Sequence, residues 1–266
     1  MRLSASIKLL HTDTRGVTIV ELLVVMIVSS LIMGVVTSFG LDYWASSATL
    51  EADQETLVSR LNSGDYLRNA FNSTSGLITQ NDIADLHTGS PDSAKTNGQY
   101  WLPIHAVPST IQIGAKGTIT PIIYFNRPSI DTSKNFIMNG TQPYEDDVIL
   151  YMNGTTKQLL ARTIANSSAA NNRAKTSCPA ALATTNCPAD IVIAEDVSGA
   201  VTRYFSRSGN TIDYTSIVDP STGAFIGPDF PSVEVIELKV NLFRKGKLSR
   251  SADSSNQTVV RVALRN

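Results

Sequence analysis

From position 15 to position 39 the chain reads R-G-V-T-I-V-E-L-L-V-V-M-I-V-S-S-L-I-M-G-V-V-T-S-F, an apolar run broken by a single carboxylate, Glu21. The run is long enough to cross a bilayer as a helix. A lone acid near the start of such a segment is expensive there, which marks Glu21 as a candidate functional residue. Ser30, Gly34 and Ser38 recur at every fourth position and form a small-residue row that permits close approach of a second helix, although small residues are common in membrane helices generally. The helical pattern continues beyond the run. No proline precedes Pro91, and Leu50, Leu57, Leu61 and Phe71 recur among Glu51, Asp53, Glu55 and Arg60. This predicts one helix over 17–71, roughly 80 Å long, with 17–41 in lipid or a protein core and the remainder packing one stripe on a globular head. Gly34 and Gly40 each cost it about 1 kcal/mol relative to Ala.

After the helix the pattern changes period. Residues from about 72 to 95 are polar and predict a connecting loop with at most a short helix. Strands are predicted over 99–104, 118–125, 148–152, 158–164, 191–194, 201–206 and 211–215. Asn153-Gly154 marks a turn between two of them. The clearest alternation is at the end, where Ile236, Leu238, Val240 and Leu242 alternate with polar residues, as do Val260, Val262 and Leu264. These predict two antiparallel strands with one face on the core, joined by a polar loop over about 245–256. The expected layout is α+β: residues 17–71 as the helix and residues 72–266 as one β-rich antiparallel head.

Charge orients this layout. The first sixteen residues carry Arg2, Lys8 and Arg15 against Asp13, a net of +2, and no Lys or Arg follows until Arg60. That asymmetry places the N-terminus in the cytoplasm and the head outside, as a single-pass membrane protein. The formal charge of the whole chain, −1, makes no case for a dedicated nucleic-acid binder. Outside the cytoplasm the two cysteines, Cys178 and Cys187, favour a small disulfide loop closing the Ala/Asn/Ser/Thr-rich stretch 166–187, with free thiols or a weak metal pair as the alternative.

Three readings compete for the apolar run. A secretory signal has a shorter apolar core, and Glu21 would interrupt it. A plain anchor fits the length but gives no reason for the acid. The third reading uses the residues themselves: a basic leader ending in Arg15-Gly16, then Val17-Thr18-Ile19-Val20-Glu21-Leu22-Leu23 and a long apolar helix. This resembles the prepilin N-terminus of type IV pilins, minor pilins and type II secretion pseudopilins, and covers roughly residues 10–45. Val17 stands where that family usually has Phe or Met. The resemblance implies that residues 1–16 are a cytoplasmic leader, that a prepilin peptidase cuts between Gly16 and Val17, and that Val17 is N-methylated. Removing the leader takes the formal charge from −1 to −3. It also implies insertion by an inner-membrane assembly platform, residence in lipid before assembly, and other pilins or pseudopilins as partners. The long helix, central strands and terminal strand pair resemble the larger minor pilins and J-type pseudopilins, which implies a pilin-like head and a place in a pilus or pseudopilus.

Physical chemistry gives Glu21 a role within that resemblance. Cleavage after Gly16 creates an ammonium at Val17, with Glu21 about 6 Å further along the helix axis. Near the membrane interface both charges stay hydrated. In a packed filament core an unpaired charge is strongly destabilising, so the carboxylate would pair with a terminal ammonium, its own or a neighbour's.

The search for chemistry is otherwise empty. No nucleophile elbow, P-loop, zincin or EF-hand pattern occurs, and His11, His87 and His105 lie far apart. Neither an enzyme nor a cofactor is expected. Glu145-Asp146-Asp147 and Glu195-Asp196 lack calcium-ligand spacing and read as solvated turns. Arg244, Lys245, Lys247 and Arg250 form a basic cluster at the last hairpin that could meet an acidic neighbour or DNA phosphates, though a solvated hairpin end is the plainer explanation. Tyr100 and Trp101 read as core residues. Two alternatives remain: an adhesin or DNA-uptake module displayed on such a filament, and an enzyme held by an uncleaved anchor.

Overall fold

The computed structural model describes residues 18–86, 95–96, 99–101, 110–112, 119–212, 233–243 and 257–263. Among the described residues there is a single α-helix, α1 (Ile19–Asn72), of 54 residues. It terminates where polar side chains take over its last carbonyls: the Ser73 and Thr74 hydroxyls both donate to the Ala70 oxygen, at 2.8 and 3.2 Å. The chain divides into two compact units, Met1–Leu50 and Glu51–Asn266, so α1 contributes to both.

In the second unit the strands are β1 (Gly76–Ile78), β2 (Lys95–Thr96), β3 (Tyr100–Trp101), β4 (Thr110–Gln112), β5 (Ile119–Pro128), β6 (Met138–Asn139), β7 (Gln142–Pro143), β8 (Glu145–Asn153), β9 (Gln158–Ile164), β10 (Ile191–Ala194), β11 (Val197–Phe205), β12 (Thr211–Ile212), β13 (Val235–Leu242) and β14 (Gln257–Ala263). One antiparallel sheet runs β1-β5-β8-β9-β10. A second runs β12-β11-β13-β14, with β4 also paired to β11. The ribbons β2-β3 and β6-β7 stand apart. The α+β layout with antiparallel sheets therefore holds.

The two sheets differ in how they bury their residues. β13 and β14 alternate buried and less buried positions, as expected for strands with one face on the core. Seven consecutive residues of β8 are buried because the first sheet is covered on both faces. On one face Phe125, Val148, Leu150 and Met152 join Leu67 and Phe71 of α1 and Ile236, Leu238 and Val240 of β13. On the other, Tyr124, Ile149, Tyr151 and Leu160 pack with Trp101. A register shift between Pro121 and Ile123 lets the neighbours Ile122 and Ile123 enter the same core.

Several expectations need correction. The stripe through Leu57, Leu61 and Phe71 is not the buried one: Leu57 and Leu61 are 52% and 59% exposed, whereas Ser63, Leu67 and Phe71 are buried. Leu61 and Phe71 are ten residues apart and so lie about 80° apart around the helix, while 63, 67 and 71 form one i, i+4 row. Leu50 is exposed too. The polar stretch after α1 contains β1 and β2, with Leu77 of β1 pairing with Phe125. Acidic residues 145–147 are not a solvated turn. They open β8, and Asp146 and Asp147 are each only 1% exposed. β11 starts four residues before the strand expected at 201. Strands β9 and β10 match their expected bounds. The Asn153-Gly154 turn is made, with Asn153 Oδ1 accepting from the Thr155 and Thr156 amides. The connection expected over 245–256 lies outside the described residues, as do His11, His87 and His105.

Candidate functional site

At the helix N-terminus, Glu21 is held by Thr18. The Thr18 amide donates to Glu21 Oε2 at 2.9 Å and the Thr18 hydroxyl to the same oxygen at 3.0 Å, while the Glu21 amide donates to Thr18 Oγ1 at 3.3 Å. This reciprocal arrangement is a capping box: each side chain satisfies the other residue's backbone donor where the helix has no preceding turn to do so. The sequence reading passed over Thr18. Its signal was present in T-x-x-E directly before an apolar run.

Beyond the cap, the first part of α1, to about Leu41, is apolar on every side. The helix is the one described helix long and apolar enough to cross a membrane, and its apolar window is exposed among the described residues. Leu22, Val25, Ile32, Met33 and Val36 are all more than half exposed. Two of its hydroxyls are turned inward on the backbone: Ser30 donates to the Ile27 carbonyl at 2.8 Å and Thr37 to the Met33 carbonyl at 2.7 Å. Such back-bonding satisfies these two donors within the helix, as an apolar surrounding favours. A Cβ at Gly34 would meet nothing within 4 Å, so the row Ser30, Gly34, Ser38 lies open. Gly16, Val17, Arg244, Lys245, Lys247 and Arg250 lie outside the described residues.

In the head, Cys178 and Cys187 form a disulfide with their Cα atoms 5.8 Å apart. The segment it closes is fastened to the sheet by a buried ionic cluster that the sequence reading did not find. Arg162 of β9, fully buried, donates from Nη1 to Asp85 Oδ2 at 3.0 Å, from Nε to Asp190 Oδ1 at 3.0 Å and from Nη2 to Asp190 Oδ2 at 2.7 Å. Trp101 Nε1 donates to Asp85, and the Tyr151 and Ser177 hydroxyls donate to Asp190. The guanidinium also lies 5.4 Å from the centre of the Trp101 ring. Burial disfavours charge on Arg162, and the Asp190 and Asp85 carboxylates more than restore it. Trp101 was expected in the core and is there; its indole N–H is satisfied by the cluster.

A second buried acidic group joins β8 to the segment after β1. Asp146 Oδ1 accepts from Ser129 Oγ, the Asn166 amide and Asn172 Nδ2 at 2.7 to 2.9 Å. Asp147 Oδ2 accepts from the Ile83 amide at 2.8 Å, and the Asp82 amide also donates to this carboxylate. Burial pushes the Asp147 carboxyl up to about 7, and the neighbouring Asp82 and Asp146 charges add to it. Among the described residues no three His, Cys, Asp or Glu side chains converge to hold a metal ion. Glu195 and Asp196 lie in the turn between β10 and β11, with Glu195 exposed.

Two open cavities lie in the second unit. One, of about 710 Å³, runs between residues 51–62 of α1, Val192–Asp196 and Phe243. The other, of about 610 Å³, lies at the end of α1 beside Arg127, Phe136 and Arg173. Neither is lined by Arg162, Asp85 or Asp190. No family model, no curated protein and no solved structure matches this chain.

Proposed function

We propose that the protein is a pilin-like filament subunit, a minor pilin or pseudopilin of a type IV pilus or type II secretion-like system, whose work is assembly. A prepilin peptidase removes residues 1–16, and Val17 becomes the methylated N-terminus. The mature chain waits in the inner membrane with its head outside. An assembly platform then transfers it into a filament of other pilins or pseudopilins through α1. The observation that carries this reading is the N-terminal stretch of α1, apolar on all sides, with its one carboxylate fixed at the start of the helix. Lipid and a bundle of similar helices are the two surroundings in which such a surface is stable. The bulk of the β-rich head suits a tip position better than a repeating shaft.

Mass spectrometry of the protein recovered from its own cells tests this reading. The expected N-terminal peptide begins at Val17 and carries a methyl group. Recovery of an intact Met1 start, with Glu21→Ala leaving the partition between membrane and filament fractions unchanged, overturns it.

A further inference from the structure

We propose that the cavity at the end of α1 binds an acidic sugar, with Arg127 and Arg173 holding the carboxylate and Phe136 stacking on the ring. The cavity is lined by Asn72, Ser73 and Thr74 after the helix, Arg127 and Pro128 at the end of β5, Ile130 and Phe136 in the following loop, and Arg173 beyond β9. This site lies wholly in the head, so the proposal stands apart from the filament reading.

Three features point to the ligand. The first is charge. Neither guanidinium has a carboxylate within 4 Å among the described residues, and the contact recorded for Arg127 is a 3.5 Å hydrogen bond to the Thr163 hydroxyl. The acid that shares the lining, Asp146, is buried with one oxygen accepting from Ser129, Asn166 and Asn172, so it faces its own donors. Two arginines in one cavity present planar donor arrays suited to a carboxylate.

The second feature is the apolar wall. Phe136 is 63% exposed, yet its backbone is fixed. It bridges to Ile130, whose carbonyl accepts the Arg173 amide at 2.8 Å. Asp131 stabilises the intervening turn by accepting from the Asn135 amide and side chain at 2.9 and 3.3 Å. An exposed aromatic ring held by a rigid loop, with Pro128 and Ala174 beside it, offers a flat surface to the C–H face of a sugar. The third feature is the set of hydroxyls. Ser73 and Thr74 spend their protons on the Ala70 carbonyl and so present lone pairs to the cavity, where they can accept from a ligand hydroxyl. Carboxylate, apolar ring face and donating hydroxyls together describe a uronic acid. A phosphate lacks the apolar face, and an acidic peptide lacks the ring of hydroxyls. The volume of about 610 Å³ lies within the usual range of small-ligand sites.

The test is calorimetric titration of the full chain in detergent micelles with oligogalacturonate and with its methyl-esterified, uncharged counterpart. Binding of the acid form is expected. Esterification or Arg173→Gln should weaken it by about tenfold, the scale of one charge-assisted contact. Phe136→Ala should weaken it by about threefold or more. Arg173 and Phe136 are both exposed, so these variants leave the core intact. The proposal is overturned if oligogalacturonate does not bind, if the ester binds equally well, or if both substitutions are silent. Equal competition by inorganic phosphate or polyglutamate also overturns it, because the site would then be a general anion or acidic-peptide site.

Discussion

Arg162 and Asp190 meet side-on, Nε to Oδ1 at 3.0 Å and Nη2 to Oδ2 at 2.7 Å, with neither side chain exposed by more than 1%. Asp190 also takes the Ser177 and Tyr151 hydroxyls, and its amide donates to the Cys178 carbonyl at 2.8 Å. The pair therefore ties the disulfide segment to the middle of the first sheet. A buried pair of this kind is weak evidence for net stability but is costly to halve. Arg162→Met should lower unfolding free energy by about 3–5 kcal/mol, because it strands two carboxylates in the core. Adding Asp85→Asn and Asp190→Asn to it should recover much of that loss. Urea denaturation of the three proteins measures both, and an additive triple variant would refute the coupling.

Asp147 predicts an unusual pH dependence. Its carboxyl is pushed from about 3.8 in the unfolded chain to about 7 in the folded one. The Asp82 carboxylate faces it from the segment after β1, Asp146 adjoins it on its own strand, and the Ile83 and Asp82 amides donate to it. Between those two values the folded protein holds a proton that the unfolded chain has released. This contribution is therefore fully present below about pH 3.8 and is lost progressively as pH rises to about 7, amounting to about 4 kcal/mol. Asp147→Asn keeps an acceptor for Ile83 and removes the titration. Its melting temperature should exceed that of the wild type by clearly more at pH 8 than at pH 5.

How far this fold could be read from the sequence depended on where each group's partner lies. β13 and β14 were legible because one face of each is buried, which prints alternation directly into the sequence. β9 and β10 were found as short apolar runs, although β10 alone leaves Ile191 and Val192 exposed. β2, β6 and β7 have two residues each and carry no period to detect. The acids opening β8 misled because their partners are remote: Ser129, Asn172 and Ile83 are brought to them only by tertiary folding. Arg162 is separated from Asp85 by 77 positions and from Asp190 by 28, so nothing local identified the cluster. The cavity bearing Arg127 and Arg173 was hidden for the same reason. Thr18 was different, since its motif stood in plain view and was overlooked beside the more conspicuous Glu21.

The disulfide adds a separable contribution. Its two cysteines are nine positions apart and buried, and the enclosed backbone is already cross-braced by the Thr184 amide bonding to the Cys187 carbonyl at 2.8 Å. On the chain-entropy account a loop of this length stabilises the fold by about 2.5–3 kcal/mol. Cys178→Ser with Cys187→Ser should cost about that much in urea denaturation. The cost should be the same whether or not Arg173 is replaced by Gln, because the cavity and the bridge share no lining residue. Non-additivity would show that the bridge shapes the cavity.

Thr18 and Glu21 can be separated by chemistry, because capping needs an acceptor and pairing with an ammonium needs a charge. Glu21→Gln keeps an oxygen for the Thr18 amide and hydroxyl, whereas Glu21→Ala removes both oxygen and charge. Thr18→Ser preserves the cap, and Thr18→Ala breaks it from the other side. If the carboxylate serves only to start the helix, Glu21→Gln should behave as wild type and Thr18→Ala should resemble Glu21→Ala. If it offsets the amine of the processed chain inside a filament, Glu21→Gln and Glu21→Ala should both fall by about tenfold or more in the sheared filament fraction, as expected when one buried charge is left unpaired. Thr18→Ala should then fall less, and Thr18→Ser not at all. Immunoblots of filament and membrane fractions from the four strains distinguish the two outcomes, and we expect the second, since a cap alone gives no reason for an ionised group within so apolar a surface.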